Sequence, residues 1–375
     1  MKTTLALLIF LFVLPVKSEA EVPRLSLLTC ETGDELYSTF GHSALRVFYP
    51  ENGADIVFNF GLFDFNTPNF YSKFIRGRLE YMLGIQSMDG FLAQYKWEGR
   101  GVVEQSLNLT DNQIVAIMEQ LEYLYLPKNR YYLYSFLYKN CTSELRDLIY
   151  PHLEKTKELK TTSAATTDRE LINSYISGWT KFGINLILGS TLDKDIDLYQ
   201  TMFLPDNLFD ITAVVSNGDV PLVGSETVLV PYSEKSNPSV ISAFFSPVLV
   251  LLLLSVLMVL IHFKWKKFAV ADNVYIGAIA FLGIVLSGII LITEHRELYR
   301  NFNLLWCNPL FALLVVSSLK GWKKTERALS VLSLISLIAV FIVWLLGVQY
   351  AEPGFIIIAF TLFFLCVMRI IKRYG

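Results

Sequence analysis

Residues 37–47 read YSTFGHSALRV. Leu45 and Val47 alternate with small or charged neighbours, which is typical of a β-strand, and Gly41 allows the backbone to turn just before it. His42 stands between the turn and the strand and is one of only four histidines in the chain. It is a candidate core residue, metal ligand or catalytic base, and the rest of the sequence has to decide among these roles.

The sequence around this stretch predicts an α+β domain. Runs rich in β-forming residues predict strands at 25–30, 44–49, 55–60, 101–108, 211–216 and 227–230. A helix is predicted over 111–125, where Thr110 and Gln113 form a capping box ahead of apolar residues at helical spacing. A second helix is predicted to start at Cys141, and the polar residues 155–168 are predicted to form a loop.

The composition separates this globular region from a membrane region. The chain is 53% hydrophobic and 18% charged, and the apolar residues are concentrated in its C-terminal third. Runs of about 16–23 residues there are long enough to cross a bilayer. The five predicted spans lie near 241–262, 270–292, 304–319, 328–347 and 355–371.

Two independent signals give this chain the same orientation. Residues 1–20 resemble a secretory signal peptide. Lysine and arginine are concentrated after the first and third spans and in the C-terminal tail, which the positive-inside rule assigns to the cytoplasm. Residues 21–240 are therefore predicted to form an extracytoplasmic domain, followed at 241–371 by a bundle of five membrane helices. The net charge of −2 gives no indication of a nucleic-acid partner.

The chemistry of the first domain depends on one cysteine and one histidine. The four cysteines are too few and too scattered for a disulfide framework or a zinc site. Cys141, at the predicted start of a helix, would feel the positive end of the helix dipole, which favours thiolate. The first-turn amides could hold an oxyanion, and His42 could take the thiol proton. Taken singly, however, a structural histidine and a buried cysteine are common.

The order of the two motifs resembles a known group of thiol enzymes. FGHSALRV (40–47) followed by NCTSELRDL (140–148) is similar to the permuted papain-like enzymes of the NlpC type and to lecithin:retinol acyltransferase. A closer resemblance, over nearly the whole chain, is to the Lnb-type bacterial lipoprotein N-acyltransferases, which also end in a membrane bundle. The matching segments are 27–47, 55–84, 95–110, 129–149 and the membrane-proximal NFNLLWCNPL at 301–310.

This resemblance implies a permuted papain-like domain on a membrane bundle in the bacterial inner membrane. Cys141 would be the nucleophile that takes an acyl chain from a phospholipid as a thioester. His42 would be the general base and acid. The acceptor would be the α-amino group of the lipid-modified N-terminal cysteine of a diacylated lipoprotein, and neither a metal nor another cofactor would be needed.

Other polar residues are candidates for supporting roles. Asn59 is the candidate for orienting His42 because Val57, Asn59 and Gly61 share one face of a predicted strand; an asparagine bonded only to backbone is the alternative. The aromatic stretch at 63–74 is either a lipid-facing lip or a packed loop. The candidate substrate-binding residues are Asn140, Arg76, Arg78, Glu98, Arg100, His295, Asn301 and Asn303.

Two other functions remain open at the level of sequence. A peptidoglycan amidase or endopeptidase of the NlpC type would keep the cysteine–histidine pair, although a cell-wall hydrolase needs one membrane anchor and not five. A non-enzymatic membrane assembly factor would leave the thiol without a role.

Overall fold

The computed structural model of the chain describes residues 22–232, 245–264 and 268–374. The predicted signal peptide and the predicted domain boundary at 240 lie outside these ranges. The N-terminal domain mixes strands and helices, and the C-terminal region is helical. The α+β class of the first domain is confirmed.

A seven-stranded antiparallel sheet forms the centre of the N-terminal domain, with strand order β11-β5-β1-β2-β3-β4-β6. Its strands are β1 (Arg24–Cys30), β2 (His42–Tyr49), β3 (Ala54–Leu62), β4 (Glu80–Ser87), β5 (Val102–Leu107), β6 (Tyr131–Leu133) and β11 (Val223–Val230). Four short strands lie outside it: β7 (Ser163–Thr167), β8 (Asp195–Asp197), β9 (Ser216–Asn217) and β10 (Val220–Pro221). The predicted strands at 25–30, 44–49, 55–60, 101–108 and 227–230 are confirmed, whereas β4 and β6 were not predicted.

Helices surround this sheet. They are α1 (Phe70–Ile75), α2 (Met88–Glu98), α3 (Asp111–Tyr125), α4 (Cys141–Ile149), α5 (Thr156–Leu159), α6 (Asp168–Tyr175), α7 (Gly178–Ile187), α8 (Leu198–Thr201) and α9 (Pro205–Val214). The strand predicted at 211–216 is wrong. Most of it belongs to α9, because Pro205 starts a helix whose buried face includes Leu208 and Thr212. The loop predicted at 155–168 also contains α5 and β7.

Both faces of the sheet are covered, which fixes the position of α4. Helices α3 and α4 pack on one face, where Ile117, Leu121 and Leu145 are fully buried. Each such side chain contributes about 1.5–3 kcal/mol of burial free energy. Helix α2 packs on the other face through Phe91 and Tyr95. The predicted helix at 111–125 is α3, and its capping box at residue 110 is confirmed.

The C-terminal region is a bundle of apolar helices. Its helices are α10 (Pro247–Lys264), α11 (Phe268–Ile292), α12 (Phe311–Leu319), α13 (Lys323–Leu345) and α14 (Pro353–Tyr374). Within the described residues, four of these helices are long and apolar enough to cross a membrane: α10, α11, α13 and α14. Four of the predicted spans therefore correspond to spanning helices.

The prediction of five spanning helices is not confirmed, because the segment at 304–319 is not one continuous helix. It contains a single 3-10 turn that ends at Leu305 and then the nine residues of α12, which extend only about 14 Å. Pro309 lacks a backbone N–H, and the Asn308 side chain accepts a hydrogen bond from the Leu310 N–H. Together these features interrupt the helix. The segment still packs inside the bundle, where Phe311 is fully buried.

Candidate active site

The paired ends of β2, β3 and α4 bring His42 and Cys141 together. His42 is the first residue of β2, and Cys141 is the first residue of α4. A register shift in β3 between Asn59 and Leu62 turns the backbone at Gly61, which has φ +86°. That conformation favours glycine. Gly61 lies beside Cys141, since a Cβ placed on Gly61 would lie 3.5 Å from the Cys141 Cβ.

Asn140 fixes the start of α4. Its side-chain oxygen accepts hydrogen bonds from the Thr142 and Ser143 N–H groups at 2.9 and 2.7 Å. Its amide donates to the carbonyls of Phe136 and Phe203. Asn140 is buried and its polar atoms are all engaged, so the expectation that it binds substrate is corrected: it is the helix cap that positions its neighbour, the candidate nucleophile.

This cap also changes the expected oxyanion site. The amides of Thr142 and Ser143 are taken by the Asn140 side chain and are not available to a substrate. Within the described residues, the Cys141 N–H has no hydrogen-bond acceptor. It is therefore the first-turn donor left for a developing oxyanion.

His42 is held on its other side by Asn59. The distance between His42 Nε2 and Asn59 Oδ1 is 2.6 Å. Because an amide oxygen can only accept, Nε2 carries the proton and Nδ1 is the nitrogen left to face the thiol. Asn59 is 6% exposed, so this hydrogen bond is shielded from water. The geometry matches the orienting role that the sequence suggested for Asn59.

The electrostatics of the pair favour a thiolate. Burial acts to raise the pKa of the Cys141 thiol, but the charge and hydrogen bond of His42 outweigh it. With help from the Ser43 backbone N–H and the Thr142 hydroxyl, they lower that pKa to about 7. Burial acts to lower the pKa of His42, while Cys141 and Asn59 raise it above its ordinary value. The two groups therefore titrate as a coupled pair.

The other cysteines have a different character. Cys30, Cys307 and Cys366 are buried, whereas Cys141 is partly exposed. Burial raises the pKa of the Cys30 thiol to about 12, so it stays protonated and unreactive. Of the four thiols, only Cys141 combines access with activation.

Glu98 and Arg100 lie next to this site but are paired with each other. Arg100 Nη1 lies 2.7 Å from Glu98 Oε2, and its Nε donates to the Glu31 carbonyl at 2.8 Å. The guanidinium also lies over the Tyr95 ring. These contacts describe a structural ion pair that holds the turn after β1. These contacts favour the structural ion pair, and the expectation that the two residues line a substrate pocket stays a prediction.

Arg76, Arg78 and His295 meet at the boundary between the domain and the bundle. Arg78 forms an ion pair with Glu294 at 2.6 Å. His295 Nε2 lies 2.9 Å from the Phe74 carbonyl and donates to it. Arg76 is exposed. Arg78 and His295 therefore have protein partners, whereas Arg76 extends an exposed side chain.

Asn301 and Asn303 join the bundle to the domain. The Asn301 amide donates to the carbonyls of Leu186 and Ile187, and the Asn303 amide donates to those of Asn185 and Leu186. These carbonyls close α7 and would otherwise lack partners. Both asparagines are buried, so the expectation that they bind substrate is corrected: they cap a helix of the neighbouring domain.

A buried ion-pair network strengthens this junction. The Asn185 amide donates to Glu352, and Arg169 binds both Asn185 and Asp193. The Tyr350 N–H in turn donates to Asp193. The domain is thus attached to the end of the bundle through side chains from both sides.

Sequence reasoning missed the parts that Ser43 and Gly61 play in this site. The Ser43 N–H helps to lower the pKa of Cys141, and Gly61 turns the end of β3 beside that cysteine. In the sequence, Gly61 stands out only by its position two residues after Asn59. Its positive φ depends on the register shift in β3, which the sequence does not reveal. Within the described residues, no group of three or more histidine, cysteine or acidic side chains could hold a metal ion.

The fold and the site define a class of protein: an α+β domain with a cysteine–histidine site, mounted on a bundle of membrane helices. The chain belongs to the Lnb family. Residues 17–174 match the Lnb N-terminal periplasmic domain, and residues 239–375 match the Lnb transmembrane domain. The resemblance stated from the sequence is confirmed, and family membership indicates a membrane protein of the lipoprotein N-acyltransferase type.

No curated protein and no solved structure matches the chain. The permuted papain-like topology therefore stays a prediction. The order of histidine strand before cysteine helix is consistent with it.

Proposed function

We propose that this protein transfers an acyl chain from a phospholipid to the α-amino group of a diacylated lipoprotein. The observation that carries the proposal is the activated Cys141–His42–Asn59 arrangement on a domain attached to membrane helices. A nucleophile held close to a bilayer suits two substrates that are both anchored in lipid. We also infer that the domain faces the periplasm from the inner membrane and that the C-terminus is cytoplasmic.

The first half-reaction forms a thioester. The Cys141 thiolate attacks an ester carbonyl of the phospholipid, and the Cys141 N–H stabilises the oxyanion. As the carbon–oxygen ester bond breaks, the His42 imidazolium gives its proton to the leaving oxygen, which departs as the hydroxyl of a lysophospholipid. Asn59 keeps the imidazole oriented throughout this step.

The second half-reaction forms an amide. The neutral α-amine of the lipoprotein attacks the thioester carbonyl, and His42 accepts a proton from the attacking nitrogen. The carbon–sulfur bond then breaks, which returns the Cys141 thiolate and the His42 imidazolium. Dividing the transfer into two steps replaces one difficult displacement with two easier ones, and neither step uses a metal or a soluble cofactor.

Replacement of the nucleophile tests this proposal. In cells that depend on this protein, Cys141→Ala should abolish N-acylation of lipoproteins, as read from the masses of their N-terminal peptides. Cys366→Ala is the matched control, because that cysteine is buried in the bundle. Persistence of N-acylation in Cys141→Ala would refute the proposal. Altered muropeptides would favour the amidase, and no change in either product would favour the assembly factor.

A further inference from the structure

Helix α1 is exposed in a way that its own sequence does not explain. None of its residues is buried, and Tyr71 and Phe74 are 77% and 44% exposed. A helix of six residues has little stability in water, and most helices gain it by burying an apolar face. Phe70 packs against Phe63 and Phe65, but Tyr71, Phe74 and Ile75 face outward, so apolar surroundings for these three side chains have to come from outside the chain.

The position of α1 relative to the membrane helices is fixed by hydrogen bonds. The Thr293 hydroxyl donates to the Ile75 carbonyl at 2.8 Å, and the Glu294 N–H donates to the Arg76 carbonyl at 3.0 Å. These partners follow directly after the apolar span of α11, which ends at Ile292. Helix α1 therefore lies level with the membrane–water boundary at this end of the bundle.

The chemistry of this segment suits that boundary. Aromatic side chains are enriched where membrane meets water, and basic side chains there attract lipid phosphate. Phe65 and Tyr71 are both more than half exposed, and Lys73 and Arg76 supply the positive charge. Leu291, at the end of the neighbouring span, is 83% exposed, which continues the apolar surface into the membrane.

A row of aromatic rings connects this segment with the catalytic pair. Phe74 stacks on Phe70 with ring centroids 6.5 Å apart, and Phe70 lies 5.9 Å from Phe63. Phe63 lies 5.0 Å from Tyr81, which stacks on Tyr134 at 4.3 Å. The row also passes beside the nucleophile, because Phe63 follows Gly61 by two positions and a Cβ placed on Gly61 would lie 3.5 Å from the Cys141 Cβ. In agreement with this, burial and then the charge of Cys141 raise the pKa of Tyr134.

We propose that residues 63–75, the aromatic lip, enter the periplasmic leaflet of the membrane and that the ring row from Phe74 to Tyr134 guides the donor acyl chain to Cys141. This inference rests on the proposed function and adds the route of the donor. The occupant is the acyl chain of a leaflet phospholipid, because the row starts at the membrane boundary and passes beside the nucleophile. Arg76 would bind its phosphate.

Acylation of the full-length protein in phospholipid vesicles tests the route. We expect Tyr71→Ser/Phe74→Ser to lower the rate of thioester formation on Cys141 at least about tenfold, because two aromatic side chains lose their apolar surroundings. The same variant should react with the soluble ester p-nitrophenyl acetate at the wild-type rate. Trp97→Ser is the matched control, since Trp97 is 87% exposed on α2, away from the row. Intact mass measures the thioester.

The outcomes separate the two proposals. No thioester in the wild-type protein from either ester would refute the proposed function. Wild-type rates from vesicles in the double variant would overturn the aromatic lip while leaving the acyltransferase intact. A loss confined to the vesicle donor supports the lip.

A second measurement does not depend on activity. In Cys141→Ser protein the remaining cysteines are buried, so Tyr71→Cys accepts a nitroxide label selectively. We expect this label to collide with oxygen dissolved in the bilayer, whereas a label at Trp97→Cys should collide with a water-soluble nickel complex. A label at residue 71 that is as accessible to nickel as the label at residue 97 would overturn the proposal.

Discussion

Replacement of Asn59 by alanine removes the hydrogen bond that holds the His42 ring. In the structure this bond is 2.6 Å long and its acceptor is buried. Its strength depends on the charge of its partner, because a bond from an imidazolium is stronger than one from a neutral imidazole. The substitution should therefore destabilise the imidazolium more than the neutral ring, and the thiolate of Cys141 loses part of the positive charge that stabilises it.

The expected size follows from this hydrogen bond. A buried hydrogen bond to a charged group contributes about 1.5–3 kcal/mol, and about 1.4 kcal/mol corresponds to one pKa unit. The pKa of Cys141, which is about 7 in the intact pair, should rise by about 1–2 units in Asn59→Ala. Asn59→Asp should leave the pKa at or below its original value, because a carboxylate also stabilises the imidazolium.

The pH dependence of iodoacetamide alkylation measures this change. The thiolate is the reactive form, so the rate rises as the pH increases through the pKa of Cys141. The midpoint should lie near 7 in the wild-type protein and should move upward in Asn59→Ala. Asn207→Ala is the matched control, since that side chain bonds the Thr201 carbonyl away from the pair. An unchanged midpoint in Asn59→Ala would refute the orienting role.

Three further predictions concern the reactivity of the thiols and the stability of the fold. The native protein should react with iodoacetamide at Cys141 alone, because the other three of its four cysteines are buried. Intact mass counts the labels, and rapid labelling of a second cysteine would contradict this prediction. Asn140→Ala should lower the free energy of unfolding by about 2 kcal/mol through the lost helix cap, measured by denaturant titration, and an unchanged midpoint would show that the cap is dispensable. Asn303→Ala should lower the free energy of unfolding by about 1–3 kcal/mol, because it leaves buried carbonyls of α7 unpaired. The melting temperature in detergent should fall accordingly. It should leave the alkylation midpoint of Cys141 unchanged, and a shifted midpoint would place Asn303 in the site after all.

Local signals were sufficient for several elements. The capping box at Thr110 and Gln113 predicted the first turn of α3 correctly, because both hydrogen bonds lie within four consecutive residues. The start of α4 at Cys141 was also predicted correctly, from apolar residues that share one helix face, whereas the role of Asn140 as its cap came only from the structure. Four membrane helices follow from uninterrupted apolar runs, since a bilayer requires little more than length and low polarity.

Other features depend on residues far apart in the chain. The polar residues of the membrane-proximal motif suggested substrate contacts, but Asn301 and Asn303 satisfy carbonyls more than a hundred positions earlier. The interruption of the predicted third span, by contrast, is local to Asn308 and Pro309, but a hydropathy window does not detect it. From sequence alone, polar residues near a membrane suggest substrate binding. The sequence does not show that the unpaired carbonyls at the end of α7 lie next to them.

The sequence by itself determined the kinds of chemistry present: a histidine before a strand, a cysteine at a helix start, and a membrane anchor. Only the tertiary structure decided that they form one site. The pairing of β2 with β3 sets Asn59 beside His42, and the end of β3 at Gly61 lies beside Cys141. The pKa of a thiol depends on distances to charges and donors, and those distances exist only once strands far apart in sequence have been brought into register.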